Sequence, residues 1–199
     1  MKKCRKNPAN LLARECMVTA LIQLLKEKPL SAITISELTE KAGVSRMTYY
    51  RNYRSKEEIF SCYLGDILEG YREESRRDYP GGIYYDREHL VHCFCYCARH
   101  MEFLDGLFRS GYGHYFIKAV SEYVVETWMK PEDDDRQFYR LMAFVGSLYN
   151  LFISWYYRGA RETPEQLAEV MFEIYHMGEY TRPGGKYVPS YGSDEGCRD

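Results

Sequence analysis

The fold is decided by residues 34–57, which read TISELTEKAGVSRMTYYRNYRSKE. Thr34 opens a capping box that predicts the start of a short helix, and Gly43 predicts where this helix ends. Ser45 is an N-cap residue for a second short helix. Two short helices joined by a turn that contains glycine are typical of a helix-turn-helix, which we expect over about residues 34–53.

Helical patterns extend in both directions from this unit. One amphipathic helix precedes it and ends before Pro29, and Ser55 opens the capping box of a long helix that reaches about Asp78. No alternating pattern of a β-strand is found, so the sequence predicts an all-α protein. The remaining helices are predicted over residues 87–104, 112–129, 141–157 and 164–177.

The sequence divides into a basic N-terminal domain of three helices, residues 1–55, a larger helical bundle, residues 56–178, and a loose tail, residues 179–199. Of the 199 residues, 45% are apolar and 28% are charged, which excludes a mainly disordered or fibrous protein. Residues 1–56 hold 12 Lys/Arg against four Glu, a net charge of +8, whereas residues 57–199 hold 15 Lys/Arg against 25 Asp/Glu, a net charge of −10. This asymmetry predicts that the N-terminal domain binds a polyanion.

The second helix of the helix-turn-helix has the residue types of a DNA-reading helix. Tyr49 and Tyr53 are expected to pack against the first helix, which leaves a second set of side chains facing outward. Arginine can donate two hydrogen bonds to guanine, threonine and methionine can contact thymine methyl groups, and tyrosine can donate to phosphate. Lys56 lies at the start of the next helix, where the helix N-terminus already favours a phosphate. The outward-facing residues are Arg46, Met47, Thr48, Tyr50 and Arg51.

Residues 34–57 resemble the DNA-binding signature of the TetR/AcrR family, T-x-x-x-I-A-x-x-A-G-V-S-x-G-T-[LF]-Y-x-[YH]-F-x-S-K, and the similarity extends over about residues 10–60. Met47 replaces a usual glycine, Tyr49 a usual leucine or phenylalanine, and Asn52 a usual aromatic residue or histidine. The resemblance implies DNA contacts for Thr34, Ser45, Arg46, Thr48, Tyr50 and Lys56.

The resemblance also implies a function. It implies a homodimer that binds a palindromic operator on double-stranded DNA, and a C-terminal domain that dimerises and holds a pocket for a small-molecule effector. The typical member is a repressor that its effector releases from the operator, so a sequence-specific transcriptional regulator is expected. The alternative is a protein with the same fold that binds a ligand and acts as a coactivator through a protein partner.

Residues 141–157 form the longest run without a charged residue. A helix of this length spans about 26 Å, which is short of the roughly 30 Å hydrocarbon core of a membrane, so we expect a helix buried in protein. A second copy of the chain is expected to cover the face that its own core leaves free, and the alternative is the central helix of a monomeric bundle. The candidate interface residues on this helix and the last helix are Phe144, Leu148, Leu151, Phe152, Trp155, Leu167, Val170, Met171 and Ile174.

The chain is rich in aromatic residues, with 20 Tyr, nine Phe and two Trp, and it has eight Met. Such side chains line pockets for small molecules, and they equally fill hydrophobic cores. We expect an effector pocket between the helices at about 60–78, 87–104 and 112–129. Its candidate walls are Tyr63, Phe94, Met101, Phe108, Tyr112 and Phe116.

His89, Cys93, Cys97 and His100 recur at helical spacing and are expected on one face of the helix at 87–104. Four ligands along one helix would span about 17 Å, so at most one pair could bind a metal ion. A regulator that responds to a metal or to oxidation of thiols is the alternative that rests on this face.

No catalytic signature is found in the sequence. It contains no glycine-rich phosphate loop, no nucleophile elbow and no paired carboxylates in a plausible cleft, so we expect neither an enzymatic activity nor a cofactor. The number of Cys, seven, is odd, and no apolar segment of a signal peptide follows the basic first residues. We therefore expect reduced thiols, a cytoplasmic location and no membrane as a partner.

Overall fold

The structure, a computed structural model, describes residues 8–176, so the predicted tail at 179–199 lies outside the described residues. Within this range the chain is all-α, as predicted, and a short 3-10 turn at Leu30–Ala32 follows the first helix. The helices are α1 (Pro8–Leu25), α2 (Ile35–Lys41), α3 (Arg46–Asn52), α4 (Glu57–Asp78), α5 (Arg87–Arg99), α6 (Met101–Arg109), α7 (Gly113–Trp128), α8 (Asp135–Tyr157) and α9 (Pro164–His176).

The helix-turn-helix begins and ends where its caps predict. The Thr34 hydroxyl accepts a hydrogen bond from the Glu37 N–H at 3.2 Å, and Gly43 ends α2 with a φ of +66°. The Glu37 carboxylate pairs with Lys28 at 2.5 Å, and a hydrogen bond from the Thr34 backbone N–H, the reciprocal half of the capping box, also helps to lower the pKa of this carboxyl. The Ser45 hydroxyl accepts from the Thr48 N–H at 3.1 Å and so begins α3.

The apolar face of α1 is buried in the second half of the helix. Leu12 is 62% exposed, whereas Met17 and Leu21 are fully buried. Val18 and Ile22 are buried as well, because the second half of α1 packs against α2, α4 and α6 at once. A helix with apolar residues on nearly every side does not reveal by its periodicity which face its neighbours will cover.

One predicted helix is two helices in the structure. The segment expected as a single helix at 87–104 breaks at His100, whose φ of −104° and ψ of 18° are not helical, and the chain then forms α6. This break turns Phe103 and Leu107 into the core next to α1. It also brings Gly106 so close to Ile22 that an added Cβ would lie 3.0 Å from that side chain. No proline or glycine marks the break, so the sequence did not predict it.

The second half of the chain forms the larger bundle. α8 packs on α7, and α9 packs mainly on α5. Both halves of the last capping box form, since Thr163 accepts from the Gln166 N–H and the Gln166 side chain accepts from the Thr163 N–H. Trp155 closes the turn before α9 by donating to the carbonyl of Glu162 at 2.9 Å. Among the described helices, none is long and apolar enough to span a membrane.

Candidate functional site

The second helix of the helix-turn-helix, α3, is anchored by Tyr49 and by Tyr53 at its C-terminal end. Tyr49 and Tyr53 are only 1% and 2% exposed, as predicted, and their ring centroids lie 5.8 Å apart. Burial raises the pKa of both phenols, so both stay neutral under all ordinary conditions. The inner face of α3 is therefore fixed by packing, and its outer face has a defined orientation.

The outer face of α3 is exposed and basic. Met47 is 75% exposed, Tyr50 is 59% exposed, and Arg46 and Arg51 are exposed as well. Within residues 8–176, no ion pair is found for either arginine. Thr48 is only half-buried, and its hydroxyl lies 2.9 Å from the Ser45 hydroxyl.

The two cap residues stand at the N-terminal ends of α2 and α3. Thr34 and Ser45 are exposed, and each uses its oxygen to accept a backbone N–H. A hydroxyl that accepts in this way still has its own hydrogen to donate. Both residues can therefore cap a helix and donate a hydrogen bond to a phosphate at the same time.

Lys56 has a structural partner that the sequence did not reveal. Its ammonium group donates to the carbonyls of Leu30 and Ile33, each at 2.5 Å, and the side chain is half-buried. Two of its three N–H bonds thus hold the 3-10 turn against the start of α4, which leaves one for a phosphate. Such a contact joins residues more than 20 positions apart, so no local pattern could predict it.

A buried arginine connects the N-terminal domain to α4. Arg14 of α1 is 4% exposed, pairs with Asp66 at 2.6 Å, and donates a hydrogen bond to the Tyr53 hydroxyl. Burial raises the pKa of the Asp66 carboxyl, and the Arg14 guanidinium opposes part of that shift. The sequence analysis missed this residue, although Arg14 falls on the buried face of Met17 and Leu21 at positions i, i+3 and i+7.

The sequence of this N-terminal domain matches a known family. Residues 18–61 match the model of the tetR family of bacterial regulatory proteins. The match includes 44 of the 199 residues and contains the helix-turn-helix.

One curated relative is similar to this chain over most of the chain's length. An uncharacterized HTH-type transcriptional regulator of Bacillus subtilis (strain 168), YxbF, is 27% identical over 183 residues. The match includes 85% of this chain but 46% of YxbF, so the chain spans about half the length of that curated relative.

Solved structures show the same fold at low sequence identity. Lin0861 from Listeria innocua superposes with a TM-score of 0.69 at 15% identity, over 88% of this chain and 96% of that one. A TetR-family transcriptional regulator from Streptomyces coelicolor has a TM-score of 0.57 at 18% identity, over 84% and 95% of the two chains. The fatty acid degradation regulator FadR from Bacillus halodurans has a TM-score of 0.56 at 14% identity, over 90% and 100%.

The structure revises the predicted dimer interface residue by residue. Three of the nine predicted residues are available to a partner: Val170 is 45% exposed, Ile174 is 51% exposed, and Leu151 is half-buried. The other six are at most 6% exposed and belong to the core of the protomer, because α8 turns these side chains toward α7 and α9. The core residues are Phe144, Leu148, Phe152, Trp155, Leu167 and Met171.

The structure also revises the predicted effector pocket. Phe108 and Phe116 pack edge to face, with centroids 5.7 Å apart, and Phe94 is fully buried. Tyr112 lies against Phe60 at 5.1 Å, so it too contributes to packing. These residues, together with half-buried Met101, do not line either cleft described below.

Among the candidates, Tyr63 lines one of these two clefts. A cleft of about 150 Å³ lies between α1 and the junction of α5 and α6, and Tyr63 lines it together with Arg99, His100 and Phe103. The Tyr63 and Phe103 rings pack edge to face, with centroids 4.7 Å apart.

The predicted metal or thiol face is not a continuous face, because α5 ends before His100. In the described part of the chain, no group of three or more His, Cys, Asp or Glu residues could hold a metal ion. A side-chain hydrogen bond with Cys93, together with burial, raises the pKa of the Cys97 thiol. A protonated, buried thiol is a poor nucleophile, so neither metal binding nor thiol sensing gains support from the structure.

Proposed function

We propose that the protein is a cytoplasmic, homodimeric repressor that binds a palindromic operator on double-stranded DNA and that a small-molecule effector releases. The observation that carries this proposal is the exposed outer face of α3, on a helix whose inner face is buried. Cationic and apolar side chains on one rigid exposed face match what base edges and thymine methyl groups require. The net charge of +8 over residues 1–56 supports the same conclusion.

The residues of the N-terminal domain take different roles in this proposal. Arg46 and Met47 stand at the start of α3, the end that reaches base edges in helix-turn-helix proteins, so they would read sequence together with Thr48. Tyr50 and Arg51 would bind phosphates beside the groove. A further group positions the domain on the backbone through hydroxyl and ammonium donors: Thr34, Ser45 and Lys56.

A second copy of the chain would cover the free face of α8 and α9. Ser147 and Asn150 donate to carbonyls of α8 itself, so this face has few groups that depend on water. An atom added at Gly146 would meet nothing within 4 Å in the protomer, which leaves room for another backbone. Val170 and Ile174 supply exposed apolar surface beside it, which supports an isologous contact across a twofold axis.

Release by an effector would act through the spacing of the two reading helices. A dimer binds two half-sites about one helical turn, roughly 34–36 Å, apart, so a change in that spacing lowers affinity. α4 carries the N-terminal domain through Asp66 and Lys56, which contact α1 and the 3-10 turn. A displacement of α4 would therefore move α3.

The proposal is tested by selecting bound DNA from a random duplex pool with the purified full chain. We expect an enriched palindrome and, by light scattering, a species of about 47 kDa, twice the chain mass of 23.6 kDa. Enrichment of no sequence would contradict the proposal and favour the coactivator alternative. A species of 23.6 kDa at micromolar concentration, in the presence and absence of the DNA, would contradict the dimer.

A further inference from the structure

A second cleft lies at the far end of the bundle, where α4 ends and α5 begins. Its volume is about 640 Å³, within the range of small-molecule sites, and the last turn of α7 forms its third wall. Along α4, Arg76 lies about 15 Å from Asp66, which pairs with Arg14 of the N-terminal domain, and about 30 Å from Lys56. The charged and aromatic side chains of its lining include Arg72, Arg76, Tyr79, His89, Tyr123 and Trp128.

Two arginines of α4 line the cleft, and within residues 8–176 one of them, Arg76, has no anionic partner. Arg72 pairs with Glu126 at 3.1 Å and lies 5.2 Å from the centre of the Tyr123 ring. Arg76, one turn further along α4, forms no ion pair within residues 8–176, although the adjacent Arg77 pairs with Asp78 at 2.7 Å. The lining thus has a surplus positive charge in a part of the chain that is otherwise acidic.

A buried histidine faces the same cleft. His89 is 6% exposed, and no hydrogen bond to its ring is found in the described part of the chain. Its ring lies between Tyr79 and Trp128, with centroids 5.7 Å and 6.2 Å away. Gly82 makes room for it, because a Cβ there would lie 2.3 Å from the imidazole. The ring lines the cleft, so an imidazole nitrogen can hydrogen-bond a polar group that binds there.

The apolar surface of the cleft is aromatic. Tyr79, Tyr123 and Trp128 line it, and no Leu, Ile or Val is among the lining residues. Flat rings pack on aromatic side chains in stacked or edge-to-face geometry, whereas an alkyl chain is better held by aliphatic walls. The lining therefore favours a planar ligand over a fatty acid.

We propose that this cleft is the effector site and that its ligand is a small aromatic carboxylic acid. Arg76 binds the carboxylate, the ring packs against Tyr79 and Trp128, and the His89 imidazole hydrogen-bonds a polar group of the ligand. The proposal rests on the regulatory function proposed above, since it assigns the effector site of that function. It places the ligand away from the aromatic core residues that the sequence analysis selected.

The experiment titrates the full chain with benzoate, phenylacetate and indole-3-acetate by calorimetry. Benzamide and phenylacetamide serve as uncharged counterparts, and octanoate as an aliphatic acid of similar charge. We expect at least one aromatic acid to bind about tenfold or more tightly than its amide and than octanoate. Binding of none of the three aromatic acids, or a preference for octanoate, would overturn the proposal.

Paired arginine variants locate the site. We expect Arg76→Gln to weaken binding of the aromatic acid about tenfold or more, and Arg77→Gln, which removes the same charge from a neighbour outside the cleft, to change it less than twofold. Equal effects of the two variants would place the ligand elsewhere.

A DNA titration separates this proposal from the proposed function. If the selected operator binds and the aromatic acid lowers its affinity in wild type but not in Arg76→Gln, both stand. If an operator is selected but no aromatic acid binds, only the effector assignment fails. If the acid binds through Arg76 and no DNA sequence is enriched, the regulatory function fails and the ligand site stands alone.

Discussion

Arg46 begins α3 and Lys56 precedes α4, and the surroundings of these two cations differ. Arg46 is exposed and no ion pair is found for it within residues 8–176, so its guanidinium is available to a base. Lys56 already donates to the carbonyls of Leu30 and Ile33. The same formal charge therefore has different consequences, and two substitutions measure them.

Replacing Arg46 tests direct reading of bases. We expect Arg46→Ala to relax the preference at one or two positions of each half-site and to lower operator affinity by about 1–3 kcal/mol. The measurement is a repeat of the DNA selection, followed by titration of the wild-type operator and its single-base variants. The control is Arg54→Ala, which removes an exposed arginine outside α3. An unchanged base preference would show that Arg46 does not read sequence.

Replacing Lys56 separates a structural role from a phosphate contact. We expect Lys56→Met to lower the free energy of unfolding by about 2–3 kcal/mol, because two carbonyls lose a charged donor. Lys41→Met is the control. The Lys41 ammonium lies 3.5 Å from the Glu27 carboxylate, and the loss of such a surface ion pair changes the free energy of unfolding little. Both are measured by denaturant unfolding. If Lys56→Met leaves the free energy of unfolding unchanged and the salt dependence of DNA binding indicates about one phosphate contact fewer, Lys56 acts mainly on DNA.

Most of the helices could be predicted, because capping residues close in the sequence determine where they begin and end. Thr34, Ser45 and Thr163 each cap the helix they were expected to cap. The features that were not predicted depend on contacts between helices. The break at His100 and the inward turn of Phe152 follow from packing against α1 and α7, which a periodic pattern does not encode.

The site follows the same division. The exposed face of α3 could be read from the sequence, since Tyr49 and Tyr53 alternate with outward side chains at helical spacing. The cleft beside Arg76 and His89 could not, because its lining comes from three helices that are spread over residues 72–128. Aromatic residues occur in pockets and in cores, so composition alone cannot distinguish the lining of a pocket from the core.

The free face of α8 gives a prediction at the same scale. We expect Gly146→Glu to dissociate the proposed dimer, because it would place a charge where the two copies of α8 are proposed to meet, while the protomer has open space there. Ser61→Glu adds the same charge on the exposed side of α4 and should leave the dimer intact. Light scattering at micromolar concentration reports the mass, and circular dichroism reports the fold. A folded Gly146→Glu dimer would place the interface on another face.

At the scale of the whole molecule, α1 packs the N-terminal domain onto α4 and α6 of the bundle. The Arg14–Asp66 pair and the approach of Gly106 to Ile22 fix α1 against α4 and α6. In the proposed dimer, these contacts would set the distance between two copies of α3. Binding at the far end of α4 could then change DNA affinity without touching DNA.

The most direct test of the account is a photocrosslink from the recognition helix to the selected operator. A benzophenone side chain replaces Met47, which is 75% exposed on α3, and, as a control, Tyr139, which is 67% exposed on α8. The account predicts crosslinks from position 47 to bases at two symmetric sites, about one helical turn apart, and none from position 139. Crosslinking from position 47 no stronger than from position 139 would contradict the claim that the outer face of α3 reads DNA.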